Sequence, residues 1–187
     1  MADRPKDIGK DDTIFRNNLF FQVDGNTKNI RDLVFDCRAI FIDEIFWNII
    51  RQELINLMKE AGPLMLYQLG LSYGFRVGAQ GRAKTKSIKD AIAFLEYYGL
   101  AAGWGKFKTI KLEMISGRID EAQVQIHDNF FAQGRNKTGN PQCFFLSGML
   151  GGIAEGLIGE GHNCVETSCI SCGAACCEFN ITRIDPD

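Results

Sequence analysis

At 187 residues, 45% hydrophobic and 24% charged, the chain is long enough for one domain with a substantial core. A formal net charge of −2 gives no broad positive field for nucleic acid or an anionic membrane surface. No apolar run approaches the ~20 residues of a membrane span, and the opening MADRPKDIGKDD lacks the apolar stretch of a secretion signal, so a cytoplasmic location with reduced thiols is expected.

Residues 1–12 read as a loose tail and residues 13–187 as a single domain. Two strand-like runs, Leu19 to Val23 and Leu33 to Phe35, flank the turn signal Asp24-Gly25-Asn26. From Asp43 the period becomes helical. Ile45, Ile49, Ile50, Leu54, Leu57 and Met58 recur at helical spacing, and Gly62-Pro63 is expected to stop the run. A second helix carries Leu64, Leu66, Leu69 and Leu71, a stretch apolar enough to predict burial in the domain or in a dimer interface. Gly78 to Lys86 reads as a polar loop. Ser87-x-x-Asp90 then resembles a capping box, with Asp in place of Glu, opening a helix through Ala91, Phe94 and Leu95.

Residues 106–127 predict a β-hairpin, because Ile110, Leu112 and Met114 alternate with polar neighbours, as do Ala122, Val124 and Ile126. A two-residue turn at Ser116-Gly117 would pair Ile110 with Gln123 and set apolar against polar. An odd-length connection with a glycine bulge is therefore expected. Asn140-Pro141 predicts an N-cap and a first helical position, followed by a stripe of Cys143, Leu146, Leu150, Ile153 and Leu157 and a stop at Gly159 and Gly161. A last hairpin covers about 162–171 and 174–184. Strands grouped in hairpins between helices predict an α+β fold of antiparallel hairpins packed with helices.

Five of the seven cysteines fall between Cys164 and Cys177, with Cys143 upstream. Reduced thiols gathered this densely bind metal more often than they form disulfides. Three ligand sets compete. Cys164-x4-Cys169-x2-Cys172, with Cys176 or Cys177, imitates a plant-type [2Fe–2S] loop. Cys169, Cys172, Cys176 and Cys177 would make a zinc site within the hairpin, although adjacent cysteines on a strand point to opposite faces. The third set joins Cys143 of the preceding helix to Glu166, Cys169 and Cys177.

Alternation along Cys177, Phe179 and Ile181 turns Cys177 inward and Cys176 outward. The positive end of its helix favours a thiolate at Cys143. Both observations favour the third set, whose three thiolates and one carboxylate suit tetrahedral zinc. Glu166 and Cys169 differ in strand parity, so the strand must bulge or end near Thr167-Ser168 for both to reach one ion. Cys37 reads as a core thiol that binds nothing.

Cys143, Val165-Glu166-Thr167-x-Cys169, Gly173 and Cys177-x-Phe179 together resemble the vinyl-4-reductase domain family. That family includes the sensor domains of phenol- and xylene-responsive bacterial activators and proteins of bacteriochlorophyll biosynthesis. The resemblance covers about residues 15–184. It implies an α+β fold similar to TRAPP trafficking subunits, usually dimeric. It also implies a structural zinc held by Cys143, Glu166, Cys169 and Cys177 near the mouth of a pocket for a small hydrophobic or aromatic ligand. Cys164, Cys172 and Cys176 lie outside the family pattern, and 187 residues leave no room for the ATPase and DNA-binding domains of the activators.

The expected function is therefore binding or sensing of a small apolar or aromatic molecule by a zinc-containing homodimer, with neither nucleic acid nor membrane as a partner. Phe94, Tyr97, Tyr98, Trp104, Phe130, Phe131, Phe144 and Phe145 supply candidate cavity walls, though any one of them alone reads as ordinary core. The alternative is an accessory or reductase-like role on tetrapyrroles. No GxGxxG follows a strand. The two histidines read as a surface residue, His127, and a loop residue, His162. A zinc with four protein ligands keeps no open position for catalysis, so binding is expected over chemistry. A protein-interaction scaffold, with the 64–71 helix as dimer face, is a third reading.

Overall fold

The computed structural model describes residues 20–133 and 139–184. Contacts divide the chain into two units, residues 1–41 and 42–187. The tail expected over residues 1–12 lies outside the described residues.

In the first unit three short strands, β1 (Phe21–Val23), β2 (Ile30–Asp32) and β3 (Cys37–Ala39), pair antiparallel in that order. Asp24 builds the first turn: its Oδ1 accepts the Asn26 and Thr27 backbone N–H groups at 3.0 and 2.6 Å. Asp32 does the same one strand later, accepting from Val34 and Phe35 at 2.7 and 3.2 Å. Leu33 to Phe35, expected as a strand, is therefore a turn. An aspartate side chain offered the backbone a local partner in place of the ladder. Cys37, expected in the core, is exposed on β3.

The second unit contains α1 (Glu44–Met58), α2 (Ala61–Ala83), α3 (Ile88–Ala101), β4 (Lys106–Ile115), β5 (Arg118–His127), α4 (Phe144–Ile158), β6 (His162–Ser168) and β7 (Cys177–Arg183). Its sheet is antiparallel throughout, in the order β4-β5-β7-β6. The architecture is α+β, as expected. Asp43 caps α1 by accepting the Phe46 N–H at 2.8 Å. Ser87 caps α3, accepting the Asp90 N–H at 3.1 Å and donating its hydroxyl to the Asp90 carboxylate at 2.7 Å.

The break between α1 and α2 falls at Lys59, whose φ is 50°, and not at Gly62-Pro63. Pro63 sits in the first turn of α2, where its missing N–H has no intrahelical partner to lose. The helix then continues through Gly78 to Ala83, a segment expected as loop.

Its glycines are contact points. Gly70, Gly74 and Gly78 of α2 lie against α4, and Gly148, Gly152 and Gly156 of α4 lie against α2. A Cβ at Gly74 would collide with the Met149 carbonyl, and one at Gly152 would stand 2.8 Å from the Phe75 nitrogen. The facing residues advance together along both helices, so the pair runs parallel with backbone against backbone. This contact uses the glycine face of α2. Leu66 and Val77 are buried, whereas Leu64, Met65, Leu69 and Phe75 stay exposed.

The β4–β5 turn is a two-residue one, Ser116 and Gly117, with φ of 52° and 80° joining Ile115 to Arg118. Positive φ at both positions matches the right-handed strand twist. The odd-length connection expected from the apolar pattern is thus absent, and the mismatch is absorbed inside the strands. Register shifts at Glu113/Met114 and Thr109/Lys111 set Leu112 opposite Ala122 and Phe107 opposite Ile126. Asn140-Pro141 precedes α4, and its N-cap is Cys143. Gly159 closes it in the left-handed conformation, φ 79°. Among the described residues, no helix is long and apolar enough to cross a membrane.

Candidate metal centre and apolar cavity

Four side chains converge where α4 begins and the β6–β7 hairpin turns. Cys143 is the N-cap of α4, Glu166 is on β6, Cys169 follows the end of β6, and Cys177 opens β7. Their candidate ligand atoms all lie within 4.8 Å of one another. Cys143 Sγ is 3.9 Å and Cys177 Sγ 3.8 Å from Cys169 Sγ. The three cysteines are buried and Glu166 is half-buried. Parity alone would keep Glu166 and Cys169 apart. A register shift between Glu166 and Ser168, with the strand ending at Ser168, brings them to one point, as the sequence requires.

Donors surround the sulfurs. Asn129 Nδ2 donates to Cys177 Sγ at 3.2 Å and to Cys143 Sγ at 3.6 Å. Its Oδ1 accepts the Phe131 N–H at 3.0 Å, which sets the orientation of the amide. The Ile170 N–H reaches Cys177 Sγ at 3.4 Å, and the Ser171 hydroxyl lies 3.0 Å from Cys169 Sγ. The Cys143 N–H donates to Glu166 Oε2 at 2.8 Å. Hydrogen bonds from Cys143, then Cys177, hold the Cys169 thiol far below the usual thiol range. Burial pushes the Glu166 carboxyl up to about 7, and its second oxygen, Oε1, is buried with no partner among the described residues. A buried carboxylate oxygen left bare is unfavourable unless a cation meets it. Three thiols and that oxygen are a donor set suited to a soft divalent ion.

The remaining thiols stand apart from the cluster. Cys164 is buried on β6, where burial and then the Glu166 charge raise its thiol above the usual range. Cys172 is exposed. Cys176, expected to point outward, is buried at 8% exposure. It precedes β7, so strand alternation does not govern it. Asn129 escaped the sequence reading, because a lone amide after a strand has the signature of any turn residue. His127 is exposed, as expected. His162, expected in a loop, is the buried first residue of β6, with ring nitrogens 2.8 Å from the Glu160 carbonyl and 2.9 Å from that of Ile119.

A cavity lies among α2, α3, α4 and the inner face of the sheet, about 660 Å³ of empty space with its mouth included. Tyr98, Trp104, Phe107, Met149 and Leu150 are among its walls. Beside it, Phe131 stands at the centre of an aromatic array. Its ring centroid lies 5.2 Å from Trp47, 5.3 Å from Phe130 and Phe145, and 6.3 Å from Trp104. The array joins the cavity wall at Trp104 to Asn129 and Phe145, which adjoin the cysteines. Of the aromatic residues expected at a cavity, Tyr98 and Trp104 line it and Tyr97 is exposed.

Residues 122–183 match the V4R domain family. A curated relative, the uncharacterized protein MJ1642 of Methanocaldococcus jannaschii, is 25% identical over 100 residues, 54% of this chain. The match spans 61% of that protein, less than two thirds of its length. The fold is shared with the phenol-responsive sensory domain of the transcription activator PoxR, solved with phenol: TM-score 0.77, 16% identity, 88% of this chain and 85% of that one. A vinyl-4-reductase family protein of M. jannaschii aligns at TM-score 0.56 with 16% identity over 79% of this chain and 85% of that one. A trafficking protein particle complex subunit 3 from Naegleria fowleri aligns at TM-score 0.48 with 12% identity over 76% and 98%. The vinyl-4-reductase resemblance seen in the cysteine pattern is borne out.

Proposed function

We propose that this chain, which carries a V4R domain over residues 122–183, binds or senses a small apolar or aromatic molecule and is braced by one structural zinc. The observation that carries the reading is the apolar cavity in the core, connected by packed aromatic rings to a Cys–Glu cluster. A phenol-responsive sensory domain of like fold supports the same ligand class.

Cys143, Glu166, Cys169 and Cys177 would hold the zinc, and three soft thiolates favour it over magnesium or calcium. The bound ion would cross-link the start of α4 to the last hairpin. Four protein ligands leave no open position, so the role is structural. The excess negative charge of such a centre is eased by N–H donors from Asn129 and Ile170, outer partners of the kind that tune metal affinity. A reducing cytoplasm suits these thiols.

The test is direct. Purified chain should be colourless, contain about one zinc, the usual count for a four-ligand site, and carry or take up a small apolar ligand in saturable fashion. A panel of small aromatic and alkyl compounds with no saturable binding would sink the ligand reading. Brown protein absorbing visible light would replace zinc with iron–sulfur.

The dimer partner is a second copy meeting the Leu64, Met65, Leu69 and Phe75 face that α2 leaves uncovered. Sedimentation should give twice the chain mass, and Leu69→Glu should return it to one. A Leu69→Glu protein that stays dimeric would place the interface elsewhere.

A further inference from the structure

Cys169 belongs to two local structures at once. In the sulfur cluster it has Cys177 Sγ at 3.8 Å and Cys143 Sγ at 3.9 Å. It also opens the short 3₁₀ turn Ile170–Cys172, which ends on Gly173 with φ 95°. The turn closes on the Cys169 carbonyl, which accepts the Cys172 N–H at 2.9 Å and the Ala174 N–H at 3.2 Å. Cys172 is thereby folded back toward Cys169 as the far end of a Cys-x-x-Cys pair. Residues closed by such a bond have Cα atoms less than about 7 Å apart. A disulfide needs about 4.4–6.8 Å, so the turn admits a bridge.

The two sulfurs differ in access. Cys169 is buried, whereas Cys172 is exposed and stands outside the four groups that converge as candidate ligands. An oxidant in solution therefore meets Cys172 first. Exposure favours oxidation of a thiol, and a sulfenic acid beside a second thiol condenses to a disulfide. We propose that Cys172 is an oxidation site coupled to the metal centre: a hydroperoxide oxidises Cys172, Cys169 resolves it, and the resulting bridge takes one ligand from the site. The effect on the metal rests on the zinc reading, and the bridge itself rests on the turn.

One peroxide serves one pair. The Cys172 sulfur attacks a peroxide oxygen, and the O–O bond breaks. The sulfur becomes a sulfenic acid, and the second oxygen leaves as water or an alcohol with the thiol proton. The Cys169 sulfur then attacks the Cys172 sulfur. The S–S bond forms, the S–O bond breaks, and the hydroxyl leaves as water. Its proton comes from the Cys169 thiol, or from solvent if a metal had replaced that proton. The two sulfurs give up two electrons and the peroxide takes them. Cys143, Glu166 and Cys177 remain as donors. Zinc affinity should fall by more than about 100-fold, since loss of an outer partner alone lowers it 10–100-fold.

The test treats the reduced, zinc-loaded full chain with hydrogen peroxide. A chromogenic chelator follows zinc release, thiols are counted, and peptide mass spectrometry maps the bridge. A Cys169–Cys172 disulfide is expected, with about two thiols consumed per zinc released and zinc binding restored by a dithiol reductant. Cys172→Ser alters an exposed side chain outside the ligand set, so it should hold its zinc at peroxide doses that empty the unmodified chain. Cys37→Ser, at the other exposed thiol, should release zinc as the unmodified chain does. A bridge mapped to Cys172–Cys176 or Cys169–Cys177, or equal release from Cys172→Ser, overturns the proposal and leaves the zinc reading standing. If the reduced chain takes up no zinc, the zinc reading fails. The oxidation site is then upheld by a mapped Cys169–Cys172 bridge and overturned by its absence.

Discussion

Cys177→Ala is expected to abolish metal uptake at the proposed Cys–Glu site and to lower the melting temperature of metal-loaded protein by about 5–10 °C. Cys177 Sγ is engaged by Cys169, Asn129 and the Ile170 N–H. Loss of an outer partner alone typically lowers metal affinity 10–100-fold, so loss of a ligand should exceed about 100-fold. Because the folded chain alone presents the assembled site, a 100-fold loss removes about 2.7 kcal/mol of metal-linked stability. For a domain of this size each kcal/mol corresponds to about 2–4 °C. Asn129→Ala should sit between, with metal affinity down about 10–100-fold. Cys176→Ala is the control. Its side chain is buried outside the cluster, so about 1 kcal/mol of packing is at stake and the zinc content should hold. Metal analysis together with melting curves checks all three. Equal zinc loss in Cys176→Ala and Cys177→Ala would refute the ligand assignment.

Gly74→Ala and Gly152→Ala should each destabilise the fold by about 3 kcal/mol or more, the upper end of what one added methyl does in a packed core. In most helices this exchange is favourable by up to ~1 kcal/mol, so the sign itself is informative. Here the new methyl meets backbone. Gly74 faces the Met149 carbonyl and Gly152 the Leu71 carbonyl, and neither can rotate aside as a side chain would. The two helices must separate, which loosens contacts along the whole glycine row. The double variant should therefore lose less than the sum of the singles, since the first methyl has already opened the interface. Gly139→Ala, with open space around it, should lie within about 0.5 kcal/mol of the unmodified chain. Denaturant titration measures each. A stabilised Gly74→Ala protein would mean that the helices stand further apart.

What could be read in advance followed from single-element rules. Strand parity turned Cys177 inward and demanded an irregularity between Glu166 and Cys169, and the register shift lies there, but it also turned Cys176 outward, whereas that side chain is buried ahead of β7. Capping chemistry located Ser87, and the onset of the helical period located the start of α1 at Asp43. The misses share a cause, which is that the deciding partner lies on another element. Gly78 and Gly81 look like loop residues until α4 and Leu95 are set beside them. The β4–β5 hairpin satisfied its turn chemistry at Ser116-Gly117 and moved the conflict into the strands, an outcome that neither strand predicts alone. Asn129 acquires meaning only because two sulfurs from distant segments meet its amide. His162 is buried with its ring between the Ile119 carbonyl on β5 and the nearby Glu160 carbonyl, partners that its own strand does not reveal.

The aromatic array has a practical consequence. Trp47 and Trp104 are the chain's only tryptophans, and both pack against Phe131. Trp104 stands on the cavity wall, and Trp47 touches Phe145, two residues beyond Cys143. Indole emission responds to local polarity and packing, so the molecule carries its own optical probes for both places. A compound entering the cavity perturbs Trp104 directly, while loosening of the cysteine cluster reaches both indoles through Asn129 and Phe131. With each tryptophan replaced in turn by phenylalanine, occupancy of the cavity and integrity of the cluster become separate spectral signals in unlabelled protein.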